Sequence, residues 1–345
     1  MQKKYLFLFI LLFGLRTYSQ DIHFSQFNQS ELIVNPAHTG FFNGYFRASA
    51  MYRNQWMAMG KAFQTIFISV DGGLLKSNRR SAFLGIGGTI FQDQAGAASF
   101  RKLNALLHIT GILKLNKKHN LAAGICAGAL STNANYQKLT FESQFDGNNI
   151  DTERPSGENV SFRSFTTTDV GAGIAYYFQN KFSDNDQDDI WWVRLGVAGY
   201  HLNRPEQDFF SGNRSRLPVR YSLYASSSID IIDTRINISP SIIYQIQKPF
   251  RELVAGSYLK FKMKGGTKFT GQYSRTYVGF GIFYRDKDAL IPKLIYEGGK
   301  FTVGLAYDVN ISTYREASRY MGGFEISLKF HNLAGSLFEA QREYN

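Results

Sequence analysis

Two neighbouring stretches decide the fold: Tyr45-Phe46-Arg47-Ala48-Ser49-Ala50-Met51-Tyr52-Arg53-Asn54-Gln55-Trp56 and Thr65-Ile66-Phe67-Ile68-Ser69-Val70-Asp71. In the first, Phe46, Ala48, Ala50 and Tyr52 alternate with Arg47, Ser49 and Arg53. In the second, Ile66, Ile68 and Val70 alternate with Thr65, Ser69 and Asp71. Successive side chains of a strand point to opposite faces, so each stretch makes a strand with one apolar and one polar face. The pair reads as a β-hairpin.

Working outward, the same alternation recurs to the end of the chain. Leu84, Ile86 and Ile90 oppose Gly85, Gly87 and Thr89; Leu107 and Ile109 oppose Asn104, His108 and Thr110; Val170, Ile174 and Tyr176 oppose Asp169, Gly171 and Gly173. Leu195 and Val197 oppose Arg194 and Gly196, Tyr221 and Leu223 oppose Arg220 and Ser222, and Phe324, Ile326 and Leu328 oppose Glu325, Ser327 and Lys329. About fourteen such segments can be counted, each roughly ten residues long. The assignment is least defined between Gln247 and Thr276.

A soluble sandwich would show the same period. Three features favour a single transmembrane antiparallel outer-membrane β-barrel: an export leader, lone charges on strand-like faces, and short turns alternating with longer loops. Composition agrees, with 30 Phe, 20 Tyr and 32 Gly against only 7 Pro, as expected of many strands bearing aromatic girdles. No window past the leader approaches 18 consecutive apolar residues, so no helical span is expected. A mean hydropathy of −0.24 excludes an ordinary helical membrane protein but not a barrel with a polar lumen.

The predicted organisation is a signal peptide over residues 1–19, an N-terminal arm or plug over 20–43, the barrel over 44–330 and a periplasmic tail over 331–345. Lys3 and Lys4 precede an apolar run from Tyr5 to Leu15, and Thr17-Tyr18-Ser19 offers a cleavage site. An even strand number places both termini on the periplasmic side. Removing Lys3, Lys4 and Arg16 lowers the formal charge from +12 to about +9. The basic residues are dispersed and the chain is exported, so outer-membrane lipid or an acidic partner is expected rather than nucleic acid. Cys126 is the sole cysteine, which rules out an internal disulfide. Asp21 to Phe41 lacks a period and carries Asn35-Pro36-Ala37 and Gly40, which argues for a folded-back loop. It reads either as a plug in the barrel mouth or as an ordered arm.

Motifs for chemistry are thin. The six histidines show no metal spacing, no Gly-x-Ser-x-Gly elbow occurs, and Gly85-Ile86-Gly87-Gly88 lies inside a strand, where close lumen packing explains it. His108 is the only strand-borne candidate for a Ser–His pair, and nothing marks its serine or acid. No enzyme activity, cofactor or metal is therefore expected. The inward charges Arg47, Asp71, Asp169, Arg194, Arg220, Glu252 and Lys260 line either a pore or, since both signs occur, a self-neutralising network. Arg53-Asn54-Gln55-Trp56 reads as a docking tip or as a girdle tryptophan beside a loop.

An ordered series of motifs resembles the PorP/SprF family of outer-membrane proteins of type IX secretion and gliding. It comprises Asp21-Ile22-His23-Phe24-Ser25-Gln26-Phe27, Asn35-Pro36-Ala37-His38-Thr39-Gly40, Tyr52 to Trp56, His201-Leu202-Asn203-Arg204-Pro205, Pro240-Ser241, Gly281 to Arg285, Asp288-Ala289, Tyr307-Asp308 and Glu325 to Leu328. The resemblance implies a non-enzymatic barrel that docks secretion-ring or lipoprotein components, or holds the C-terminal domain of a secreted adhesin. Asn35, Pro36, Arg53, Gln55, Trp56, Arg204 and Arg285 become candidate plug or docking residues. Loops Ser131–Thr168 and His201–Leu217 are candidates for outward contact, with the basic turns Lys76–Arg80 and Lys117–Lys118 for periplasmic contact. The competing reading is a channel for small hydrophobic compounds of the FadL type, which also pairs a barrel with an N-terminal plug bearing Asn-Pro-Ala.

Overall fold

A computed structural model of the chain describes residues 21–42, 44, 46–55, 63–76, 81–96, 98–135, 139–157, 164–181, 190–209, 214–264, 276–313 and 315–332. Residues 1–20 and 333–345, which hold the expected leader and tail, fall outside the described residues, as do Trp56 and most of the expected Lys76–Arg80 turn.

Alternating side chains produce the strands β1 (Phe46–Gln55), β2 (Phe63–Leu74), β3 (Ala82–Ala95), β4 (Phe100–Lys114), β5 (His119–Asn133), β6 (Phe165–Lys181), β7 (Ile190–Tyr200), β8 (Glu206–Asp208), β9 (Arg214–Arg216), β10 (Arg220–Asp230), β11 (Ile236–Gln247), β12 (Phe250–Lys264), β13 (Thr276–Arg285), β14 (Ala289–Gly298), β15 (Phe301–Asn310) and β16 (Met321–Asn332). All but β8 and β9 join one closed barrel of fourteen strands, each paired with its neighbours in sequence. The expected strand count is therefore met, and β12 occupies Phe250–Lys264 of the ambiguous region. The short ribbon β8–β9 stands apart in the loop after β7; three-residue strands are too short to show a period.

Closure is made by β1 against β16, running antiparallel from Phe46 opposite Asn332 to Gln55 opposite Gly323. This pairing leaves no open edge, as a wall in lipid requires. Both ends of the wall thus lie at one end of the barrel, and the long connections 134–164 and 201–219 leave from the other.

The outer face is apolar: Leu107 is 74% exposed, Ile125 61% and Ile282 54%. A continuous apolar belt on a closed wall is what lipid solvates. Aromatic rings collect at both rims. Phe46, Phe301 and Phe330 cluster where the wall begins and ends, and Tyr221, Tyr284, Tyr307 and Tyr320 are exposed near the opposite rim. No helix among the described residues is long and apolar enough to cross a membrane.

The inner face departs from a plain polar lining. Met51, Phe67, Phe83, Phe283 and Ile291 are buried inside the wall, where they pack on Phe24, Phe27, Val34 and Phe41 of the N-terminal segment. That segment displaces water from the lumen, and apolar inward residues gain a core to join. A fourteen-strand wall has room for it, since about eight strands suffice for side chains alone to fill the interior.

Asp21 to Phe42 traverses the lumen as a folded-back loop. It contains one helical turn, α1 (Glu31–Val34), and a 3-10 turn at Pro36–His38. Asn35 caps the second turn by accepting from the Ala37 N–H at 2.8 Å, and Pro36 at the first position lacks a donor that would go unused there. The wall was built to receive this loop. A Cβ at Gly85 would lie 2.0 Å from the Thr39 carbonyl oxygen, and one at Gly173 would lie 2.1 Å from Asn35 Oδ1. Asp21 itself sits at the end of the long loops, donating its N–H to Gln247 at 2.9 Å. The wall thus begins and ends at one rim, at Phe46 and Asn332, while Asp21 lies towards the other.

Candidate functional site: the plugged lumen

Three groups of buried polar residues fasten the plug to the wall. The first centres on Glu31. Its carboxylate receives Arg47 from β1, Arg194 from β7 at 3.0 Å and Lys329 from β16 at 3.0 Å. Arg47 also makes a bidentate pair with Asp71, its cross-strand partner on β2, at 2.9 and 2.8 Å. Asp71 Oδ2, already bonded to Arg47, also accepts the Gly40 N–H at 2.7 Å. Burial alone would raise the Glu31 pKa, but Arg47, then Lys329 and Arg194, overcome it and hold the carboxyl well below its usual range. The neighbouring His38 goes the other way. Its burial pushes the imidazole down to about 4, so it is neutral at pH 7, and its Nε2 meets the Tyr224 hydroxyl.

The second group clasps Ser25 and Gln26. Their backbone N–H groups donate to the two Glu325 oxygens at 2.7 and 2.9 Å, and Lys293 donates to the Ser25 carbonyl at 2.6 Å. The Ser25 hydroxyl bridges Arg285 and Asp308. Arg285 reaches Asp308 and Asp288 at 2.9 Å each and lies 3.7 Å from Glu252. Arg53, opposite Glu325 in the β1–β16 register, bonds the His23 carbonyl and approaches Glu325 at 3.4 Å.

The third group holds the start of the plug. His201, just past β7, bridges Asp169 at 2.8 Å and Asp21 at 2.5 Å. Burial would lower its pKa, but Asp21 and Asp169 outweigh that and raise it to about 9. Arg220 donates to the carbonyls of Ile22 and Ile33 at 3.3 and 3.2 Å.

Charges of both signs thus meet between plug and wall. His108 is fully buried and bonds Thr89 at 3.0 Å, and no group of His, Cys, Asp and Glu among the described residues could hold a metal.

The chain matches the family described as "Type IX secretion system membrane protein PorP/SprF" over residues 16–330. It belongs to that family. The sequence resemblance is thereby borne out over nearly the whole chain, and the protein is a membrane component of type IX secretion. No match is found among curated proteins. Among solved structures, the toluene transporter TodX of Pseudomonas putida is 10% identical with a TM-score of 0.46, covering 90% of this chain and 93% of that one. The KdgM porin is 7% identical with a TM-score of 0.36, covering 82% and 98%. The β-domain of the Bordetella autotransporter BrkA is 9% identical with a TM-score of 0.41, covering 84% and 99%. Likenesses this distant carry no argument about function.

Within this PorP/SprF barrel, the structure unites most of the residues singled out from sequence. Asn35 donates to the carbonyls of Ile174 and Val197 on adjacent wall strands, and the Pro36 carbonyl accepts from Thr110 at 2.8 Å. Arg47, Arg53, Asp71, Asp169, Arg194, Arg220, Glu252 and Arg285 all face the plug. Lys260 instead pairs with Glu297 at 2.8 Å. Gln55 lines a separate cavity at the long-loop end. Arg204 stands apart, exposed in the loop after β7. Sequence reasoning missed Glu31, Ser25, Lys293 and Asp308. The last two sit at inward positions of their strands and could have been found by phase. Glu31 lies in the stretch without a period and gave no signal.

Proposed function

We propose that this barrel is a non-enzymatic docking component of type IX secretion, which binds secretion-machine subunits at one mouth and holds a secreted adhesin at the other. The observation that carries this reading is the filled lumen. Inward charges that would attract ions in a pore are instead committed to Glu31, Ser25, Gln26 and Asp21 of the plug. A wall sealed in this way offers its two mouths to partners rather than a path through its centre. The rim bearing Lys76 and Lys118 is assigned to the periplasm, and the loops 134–164 and 201–219 to the cell exterior, because outer-membrane barrels keep short turns inside and longer loops outside.

A tagged chain is to be recovered from native outer membranes in mild detergent, and what stays bound identified by mass spectrometry. Secretion-ring lipoproteins or a large adhesin are the expected companions. A partner-free barrel carrying a small hydrophobe would replace this reading with the channel. The observation nearest to that second reading is a cavity of about 320 Å³ at the long-loop end, where Ile22, Phe63 and Phe100 share the lining with Asp21, Arg53, Asp93 and Lys102.

A further inference from the structure

At the rim where β1 begins and β16 ends, the lumen widens into a vestibule of about 420 Å³. That falls within the roughly 300–1,000 Å³ of small-ligand sites. The plug forms its floor, through Phe27, Asn28 and Glu31, and Tyr177, Trp192, Arg194 and Lys329 stand in its walls.

Charge here does not balance. Three cations, Arg47, Arg194 and Lys329, share Glu31, and among the described residues the only further carboxylate in their contacts is Asp71, which serves Arg47. Lys260 and Glu297 cancel each other. Arg194 is the least satisfied of the three. It gives Glu31 one Nη1–H bond at 3.0 Å, and its Nε has no partner among the described residues. Its guanidinium lies 5.6 Å from the rings of both Tyr177 and Trp192. A guanidinium is a planar five-donor fork matched to the two oxygens of a carboxylate, and aromatic walls beside it suit a ring one residue away.

We propose that the vestibule binds a carboxylate of a partner's peptide segment on Arg194, with a neighbouring aromatic side chain against Trp192 and Tyr177. This deepens the docking reading and rests on it, supplying the chemistry of the partner at this mouth.

The test is calorimetric titration of the full chain in detergent micelles with three peptides. Acetyl-Gly-Phe-Gly with a free terminus presents a chain-end carboxylate. The amide of acetyl-Gly-Phe-Glu-Gly presents a side-chain carboxylate, and the amide of acetyl-Gly-Phe-Gln-Gly presents neither. The expected result is one-to-one binding of one carboxylate peptide, which also tells the two sources apart. Arg194→Gln should weaken it by about tenfold or more, as loss of a partly buried ionic contact does, and Arg216→Gln on the exposed β9 ribbon should leave it unchanged. Since Arg194→Gln also touches the plug, Trp192→Leu, which leaves the cations around Glu31 in place, must lower the affinity too. Equal binding of the neutral amide, indifference to either vestibule substitution, or no saturation with any peptide overturns the proposal. Should partners still co-purify from native membranes in that case, docking stands and this site alone is lost.

Discussion

At the residue scale, Glu31 has the widest reach, since one carboxylate joins the plug to the closing pair β1 and β16 and to β7 across the barrel. A buried ion pair gains little over an apolar substitute, but deleting one partner leaves the others desolvated and unpaired. Glu31→Gln should therefore loosen the plug by about 3–5 kcal/mol, and Glu31→Asp by less. The readout is proteolysis within residues 21–42 of the folded barrel; an unchanged cleavage rate would refute the anchoring role. His201 supplies a pH test of the other end. Its pKa is raised from 6.5 to about 9, so the stabilisation from its bridge to Asp21 and Asp169 is complete below about pH 6.5. It is lost as pH rises through about 9. The thermal midpoint of the wild-type barrel should fall across that window more steeply than that of His201→Gln, and parallel curves would contradict the assignment.

At the element scale, the barrel strands were legible because a period of two repeats along most of them, and each repeat confirms the phase of the last. Glu325, Ser327 and Lys329 face inward for the same reason that Phe324, Ile326 and Leu328 face outward. The plug was only half legible. Asn35-Pro36-Ala37 and Gly40 mark a folded-back loop, but its partners arrive from the whole length of the chain: Ser25 and Glu325 are 300 positions apart. No local pattern encodes a pairing of that kind. Inward Phe67 and Phe283 were equally hard to interpret, because their burial depends on a plug whose place the alternation cannot give. Wall glycines record where it lies. Gly85→Val would drive a side chain into the Thr39 carbonyl, 2.0 Å from the Cβ position, and overpacking of this sort costs about 1–3 kcal/mol. Gly88→Ala meets only ordinary contacts, the nearest at 3.7 Å. The first should lower the unfolding temperature of the purified barrel and the second should not; equal effects would mean that the plug does not rest on β3.

At the scale of the whole molecule, wall and plug are separable in principle. The barrel is held by its own ladders, closed from β1 to β16, with its apolar belt in lipid, and the plug contributes side-chain and capping contacts from inside. Excision of residues 22–40 should therefore leave a closed barrel, seen as retained strand signal in circular dichroism, and open a conductance in planar bilayers that the full chain lacks. The exposed lumen would carry Arg47, Arg194 and Lys329 around the vacated place of Glu31, with Asp71 as the only carboxylate among the described residues bonded to any of them. A ring of positive charge in a narrow, weakly screened passage selects anions. The reversal potential in a salt gradient should accordingly show anion preference, and Arg194→Gln in the excised chain should reduce it. A cation-selective or unselective pore would mean that these three charges do not line the passage. Steady conductance by the intact chain would be more consequential, for it would mean that the plug does not seal the lumen, and the docking reading would lose the observation on which it stands.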